Sequence, residues 1–294
     1  MATHPLISIC IPCYNGAKFV ARTLDSLISQ AFEDFEVIIA DNHSTDESVR
    51  IIRNYQDSRI KLIQNESNLG LVGNWNKVLS LSTGKYVKLL CADDVLYPEC
   101  LSRQSKVLED AQNRGVVLTV CNRDVIDAND RLLLTRKPAF RAGRASGASL
   151  IRSSIRRGTN LIGEPAVGLF RREVLGQIGV LDSANPYLID LAFWAEVLKH
   201  GDAFVDTESL AAFRISRDGA SAEIGGRQAA YFRKFLRAIR TDKFYRAGML
   251  DVMRGYLFSF QWALLRNLFL TLNTNHHGLK TSGSPGHVYA TTQR

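Results

Sequence analysis

Between residues 6 and 90, short apolar runs alternate with segments of helical period, and this alternation restricts the possible folds more than any other property of the chain. Leu6, Ile7, Ser8, Ile9, Cys10 and Ile11 form the first run; a helical pattern over 17–30 follows, then a second run at Glu36, Val37, Ile38, Ile39 and Ala40. The pattern repeats, helical at 45–55, extended at 60–63, helical at 71–81 and extended over Tyr86, Val87, Lys88, Leu89 and Leu90. Strands joined through helices lie parallel in one sheet covered on both faces, an α/β arrangement. Such sheets bind ligands outside the carboxyl ends of their strands. Polar residues that directly follow a strand are therefore the first candidates for a site.

The second half is less regular. Another apolar run covers 116–125, and the Arg, Gly and Ser of 141–157 predict a mobile loop, a candidate lid. A segment at 161–170 and helical patterns at 172–178 and 191–200 follow, and 203–205 and 211–215 predict two further strands. From 223 to 272 the chain reads as a helical C-terminal extension rich in Phe, Tyr, Leu and Arg, and the polar 273–294 as a disordered tail. The expected main domain is 1–222, with halves at 1–112 and 113–222.

A hydrophobic content of 46 % excludes a disordered chain, and a formal charge of +8 favours anionic partners. The five cysteines are unevenly spaced, which argues against a secreted disulfide framework. With neither a leader-like start nor an apolar run long enough to span a bilayer, a cytoplasmic protein is expected.

Three segments carry chemistry. Pro12, Cys13, Tyr14, Asn15 and Gly16 follow the first strand, where the Tyr14 ring could stack on a flat ligand. Asp41 to Glu47 follow the second. There Ser44 and Glu47 have the spacing of a capping box, while Asp41 is free to accept an N–H from a nucleobase. After the strand at 86–90 come Cys91, Ala92, Asp93 and Asp94, with Pro98 suited to a helix start. Adjacent carboxylates repel unless a cation screens them, so Asp93 and Asp94 are a candidate Mn²⁺ or Mg²⁺ site that would take diphosphate oxygens. The competing expectation is that Asp94 only caps the next helix.

In order and spacing, Ile9 to Gly16, Asp41 to Asp46, Asn68-Leu69-Gly70, Gly84-Lys85-Tyr86, Ala92-Asp93-Asp94 and Pro98 resemble family-two glycosyltransferases. The resemblance implies a GT-A, Rossmann-like fold with a mixed, mostly parallel sheet, and inverting transfer from a nucleotide-sugar donor, a UDP-sugar by preference. It implies donor contacts at Pro12, Tyr14, Asn15, Asp41, Asn68, Gly70 and Trp75, and a metal site at Asp93 with Asp94. Residues 1–112 then form the donor half and 113–222 the acceptor half, the latter carrying Gly163-Glu164-Pro165 and the run from Tyr187 to Trp194. Asp190 matches the catalytic base, and Arg214 in Phe213-Arg214-Ile215-Ser216 is a candidate phosphate contact or else a surface arginine. Cys91 stands where many members have an Asp, Trp75 where many have an Arg, and Ser216 where His is frequent. Asp190 also has an ordinary reading as a helix N-cap.

The implied acceptor is a saccharide or lipid-linked saccharide of surface-polysaccharide assembly; no nucleic-acid partner is expected. A non-catalytic nucleotide- or sugar-binding relative is the alternative function, and a nucleotidyltransferase lacks its usual Gly-rich basic loop here. Cys10 and Cys13 have redox-motif spacing, set aside because nothing else reads as a redox fold. Over 227–240, Tyr231, Phe232, Phe235, Leu236 and Ile239 alternate with Arg233, Lys234, Arg237 and Arg240. That segment is expected either to pack on the domain or to lie on an anionic membrane; an oligomer contact through the C-terminal helices is a further expectation.

Overall fold

The first half folds as β1 (Ile7–Cys13), α1 (Val20–Ile28), β2 (Phe35–Asp41), α2 (Ser48–Arg53), β3 (Ile60–Gln64), α3 (Gly70–Ser80) and β4 (Tyr86–Leu89). β1, β2 and β4 are almost wholly buried, because helices cover both faces of the sheet. The computed structural model describes residues 4–136, 138–181, 188–216 and 228–275. Its later elements are β5 (Val95–Leu96), α4 (Cys100–Glu109), β6 (Val116–Ile126), β7 (Leu132–Thr135), β8 (Gly143–Ala145), α5 (Gly147–Arg157), β9 (Gly168–Arg171), α6 (Leu175–Ile178), α7 (Ile189–Leu198), β10 (Asp202–Arg214), α8 (Gln228–Ile239) and α9 (Met249–Asn275).

One ten-stranded sheet runs in the order β3-β2-β1-β4-β9-β6-β10-β5, with β7 beside β6 and β8 beside β10. The block β3-β2-β1-β4 is parallel, β9 enters antiparallel between β4 and β6, and β10 runs parallel to β6. From β1 the chain winds outward to β2 and β3, then returns to place β4 on the other side of β1. The strand order therefore switches direction at β1/β4, which opens a crevice beyond their carboxyl ends.

Three expectations need correction. Residues 141–157 are not a loop: β8 and α5 occupy them, and Gly147, Leu150, Ile151, Ser154 and Ile155 make a buried face at helical spacing. The two short strands expected at 203–205 and 211–215 are one strand, β10, which register shifts carry across the interruption. α9 continues to Asn275, past the expected start of the tail; 276–294 lie outside the described residues.

Glu36 shows how the parallel block is fastened. Its buried carboxylate accepts hydrogen bonds from Ser8 Oγ at 2.6 Å and Thr83 Oγ1 at 2.6 Å, and pairs with Lys61 at 2.8 Å. Gly84 also donates its N–H to Ser8, and a Cβ there would fall 2.6 Å from the Ser8 nitrogen, so only glycine fits. Burial would raise the Glu36 carboxyl, but Lys61, Ser8 and Thr83 hold it down at about 2. A lowered folded value adds stability above the ordinary carboxylate range and loses it as pH falls through about 2. Glu36→Gln is expected to lose about 2–3 kcal/mol at pH 7 by denaturant unfolding, with the difference from the parent shrinking below pH 4; a pH-independent difference would contradict the assignment.

Candidate active site

The loops after β1 and β2 are tied to each other. Asn15, with φ of 48°, accepts the Thr45 N–H at 2.9 Å and donates its own N–H to Ser44 Oγ at 2.9 Å. The Ala17 N–H donates to Asp46 at 3.0 Å. The expected capping box is absent: α2 starts at Ser48 behind Glu47, which makes no side-chain cap, and the Ser44 hydroxyl serves the loop contact instead. Tyr14 stands at the loop tip, 53 % exposed, while Pro12, one residue before the end of β1, lies opposite Ala40. Asp41 is buried at the end of β2; its Oδ2 accepts the Ser44 N–H at 3.2 Å and its Oδ1 has no partner among the described residues. A buried carboxylate oxygen without a donor is costly, and a ligand N–H would relieve it.

Asn68 and Gly70 belong to a polar knot below this loop. Asn42 donates to Asn68 Oδ1 at 2.8 Å and accepts the Leu69 N–H at 2.8 Å, and Gly70, at φ of 72°, donates to Asn68 Oδ1 at 2.8 Å. Both residues shape the loop before α3. Trp75 is buried in the core, 3 % exposed, rather than standing in the open crevice.

Beyond β4, oxygen or sulfur atoms of Cys91, Asp93 and Asp94 lie within 4.8 Å of one another. Asp94 does not cap α4, whose N-cap is Glu99. Fully buried, it accepts the Arg214 N–H through Oδ1 at 3.1 Å, while Oδ2 has no partner among the described residues. Burial pushes the Asp94 carboxyl well up and the Asp93 charge adds to it; burial also raises Asp93, against the opposing pull of Arg214. The pair is thus short of positive charge.

Arg214 departs from both readings of the sequence. It is no surface arginine, being 2 % exposed, and its guanidinium is taken up by the protein: Nε donates to the Asp93 carbonyl at 2.8 Å, Nη1 donates to the Asp127 carbonyl at 2.9 Å and pairs with Asp130 at 2.6 Å, and the group lies 4.7 Å from the Phe19 ring centre. It clamps the Asp93–Asp94 turn to the β6–β7 hairpin. Among its nitrogens only Nη2 lacks a partner in the described residues.

Asp190 lies in the first turn of α7, behind Leu188 as N-cap, so it is not the cap itself. Its carboxylate accepts the Leu191 N–H at 2.7 Å and Asn160 Nδ2 at 2.8 Å. Asn160 is fixed in turn by the Ile162 and Gly163 N–H groups, each 3.0 Å from its Oδ1. Burial, then the nearby Glu164 charge, push Asp190 up to about 6. Glu164 pairs with Arg123, and although its burial works the other way, Arg123 and Arg136 lower its carboxyl. Gly163, at φ of 125°, lets Arg123 approach; a Cβ would sit 2.7 Å from Nη1. Asp93, Asp94, Asp190 and Glu164 all stand near enough to Cys91 for their charges to add to the effect of burial in raising its thiol.

Asn160, Arg123 and Arg136 were not among the sequence candidates. Asn160 precedes Gly163-Glu164-Pro165 by three residues, and that proximity was its only signal. Tyr187 lies outside the described residues. Cys10 and Cys13 are buried with raised thiols, Cys13 to about 12, the reverse of an activated redox pair.

This is a GT-A fold. It superposes on the crystal structure of S. aureus TarS 1-349 in complex with UDP-GlcNAc with a TM-score of 0.63 and 19 % identity over 94 % of this chain and 76 % of that one. It matches the mannosyltransferase PcManGT from Pyrobaculum calidifontis, in complex with GDP-Man and Mn²⁺, with a TM-score of 0.64 and 19 % identity over 95 % of this chain and 77 % of that one. Residues 8–179 match the family model of glycosyl transferase family 2, and the chain belongs to that family. A protein of Mycobacterium tuberculosis, described only as MT1568, is 31 % identical over 66 % of this chain and 62 % of its own length. The glycosyltransferase RP339 of Rickettsia prowazekii is 30 % identical over 72 % of this chain and 64 % of its own. The chain thus spans somewhat under two thirds of these relatives.

Proposed function

We propose that the chain is an inverting glycosyltransferase that moves a sugar from a nucleoside diphosphate donor, a UDP-sugar by preference, to a saccharide or lipid-linked acceptor of surface-polysaccharide assembly. The observation that carries this is the gathering around Cys91 of a buried carboxylate pair, Asp93 and Asp94, and a separate carboxylate, Asp190, which Asn160 and the Leu191 N–H orient.

Each half has its work. Asp41 Oδ1, buried and without a donor, suits the imide N–H of uracil, and the exposed Tyr14 ring suits the base's face. Asn15, Asn68 and Gly70 hold the loops around it, and Arg214 holds the Asp93–Asp94 turn at the height of the donor diphosphate. Asp190, ionised above pH 6 and oriented by Asn160, takes the proton of the acceptor hydroxyl as that oxygen attacks the anomeric carbon from the face opposite the leaving group.

The residues present fit a hard divalent ion. Asp93 and Asp94 offer carboxylate oxygens, Asp94 Oδ2 lacks a partner among the described residues, and burial raises both carboxyls in spite of the nearby Arg214. Mn²⁺ or Mg²⁺ held there would supply positive charge to the departing diphosphate. Cys91 is not counted as a ligand, because burial raises its thiol and hard ions prefer oxygen.

Thermal shift with UDP, GDP, dTDP and CDP, with and without Mn²⁺, tests the reading. UDP with Mn²⁺ is expected to raise the midpoint by roughly 5–10 °C at about 100 times Kd. Asp93→Asn should remove the metal-dependent part, and Asp41→Ala should blunt the choice among bases. No shift with any nucleotide would favour the non-catalytic relative instead.

A further inference from the structure

α9 has two unlike faces. Val252, Gly255, Ser259 and Ala263 are buried, and Gly255 lies against the Ile155 carbonyl of α5. Leu250, Met253, Leu257, Phe260 and Leu264 follow at intervals of three or four residues, each more than half exposed. That spacing draws one apolar stripe along the helix, and exposed patches of this extent mark interaction sites.

What surrounds the stripe is basic. α5, on which α9 packs, exposes Arg156 and Arg157; α8, also packed on α9, exposes Arg233 and Arg237, and Arg240 just after it is exposed too. The sole acidic residue of α9, Asp251, is buried and paired with Arg156. Just ahead of α9, a cavity of about 630 Å³ is lined by Arg152, Lys199, His200, Lys243, Phe244 and Arg246, among others. Its acid, Asp202, is paired with Arg144, and Lys199 with Glu196 and Asp242. Lys243 and Arg246 have no ion pair among the described residues.

We propose that this face docks on an anionic lipid bilayer, with α9 lying in the interface, its stripe in the acyl boundary and a lipid phosphate headgroup in the basic cavity beside Lys243 and Arg246. Apolar burial and basic flanks are the two requirements of an interfacial helix. A second copy is disfavoured because pairing two stripes would bring their arginine rims together. No helix among the described residues is long and apolar enough to cross a membrane. The sequence left 227–240 either to pack on the domain or to lie on a membrane; Phe232, Phe235, Leu236 and Ile239 of α8 are buried in the core, which is the first of the two. The inference is independent of the donor and acceptor assigned above.

Flotation of the full chain with vesicles of phosphatidylcholine and about 30 % phosphatidylglycerol, against phosphatidylcholine alone, is the test. The parent should float with the anionic vesicles and about tenfold less with the neutral ones. Leu257→Asp with Phe260→Asp, and separately Lys243→Glu with Arg246→Glu, should each lower partitioning at least tenfold at an unchanged melting midpoint. Should a variant misfold, brominated lipid must still quench the parent's Trp262, which neighbours the stripe, whereas Trp75 and Trp194 are buried out of reach. Equal flotation on both vesicles, unchanged flotation of both variants, or absence of quenching overturns the proposal. So does a dimer in sedimentation that the Leu257→Asp, Phe260→Asp chain cannot form, which would make the occupant a second copy.

Discussion

Asp190→Asn is expected to lower transfer by about three orders of magnitude while making the protein more stable at pH 8. Asparagine preserves the size of the side chain and, through its one oxygen, a partner for Asn160, but it gives up the bond from the Leu191 N–H and cannot accept the acceptor's proton. The gain in stability follows from the sign of the shift. Burial and the Glu164 charge raise the folded carboxyl to about 6, so the folded state binds this proton more tightly than the unfolded chain. That contribution is fully present below the ordinary carboxylate value and is lost as pH rises through about 6. At pH 8 the parent therefore bears an ionised carboxylate that folding disfavours, by about 1–3 kcal/mol once its partial exposure is allowed for. Asparagine removes the penalty. The parent's rate should also fall tenfold per unit below pH 6. A variant that keeps a tenth of the parent's transfer, or melts earlier than it at pH 8, would take the base away from Asp190.

Arg214→Ala is the second large effect, and it strikes stability and donor binding together. The side chain is buried, joins the Asp93 carbonyl to the Asp127 carbonyl and Asp130, and lies against Phe19. Asp130 keeps Arg22 as a partner, but the Asp93 and Asp127 carbonyls lose charge-assisted hydrogen bonds from Arg214, at about 1.5–3 kcal/mol each. Single domains hold only about 5–15 kcal/mol in total, so the variant should unfold at markedly lower denaturant and lose metal-dependent UDP binding even where it remains folded. Arg214→Lys keeps the charge without the planar fork and should fall between the two. A loss under about 1 kcal/mol in urea, with UDP binding intact, would show that the clamp is not what places Asp93.

The candidate donor residues could be picked out because they are local in sequence. Asp41 and the Asp93–Asp94 pair directly follow strands, and strand ends can be read from periodicity alone. Contacts across long stretches of chain could not be read in this way. Arg214 meets Asp127 from 87 residues away, so its burial had no trace among its neighbours in sequence. Arg123 and Glu164 come together only because β6 and the segment before β9 lie side by side. The helix α5 was missed for another reason: Gly147, Ser154 and the Arg residues gave 141–157 the composition of a loop, although Leu150, Ile151 and Ile155 kept helical spacing. The apolar side of α8 was recognised, but whether it met protein or lipid depended on a tertiary contact that periodicity does not contain.

The junction of α5 with α9 also governs where Asp190 stands. At the αL cap of α5, a Cβ on Gly158 would lie 2.4 Å from the Ser259 nitrogen and 2.7 Å from the Gly255 carbonyl oxygen, so the two helices meet backbone to backbone with no side chain between them to give way. Two residues beyond Gly158 is Asn160, whose amide holds the Asp190 carboxylate. A shift of α9 is therefore passed to Asn160 through main chain, and from the Asn160 side chain to Asp190 through one hydrogen bond. If the chain rests on α9 as proposed, the bilayer becomes the reference plane, and the short path from Gly158 to Asn160 sets how far Asp190 stands from it.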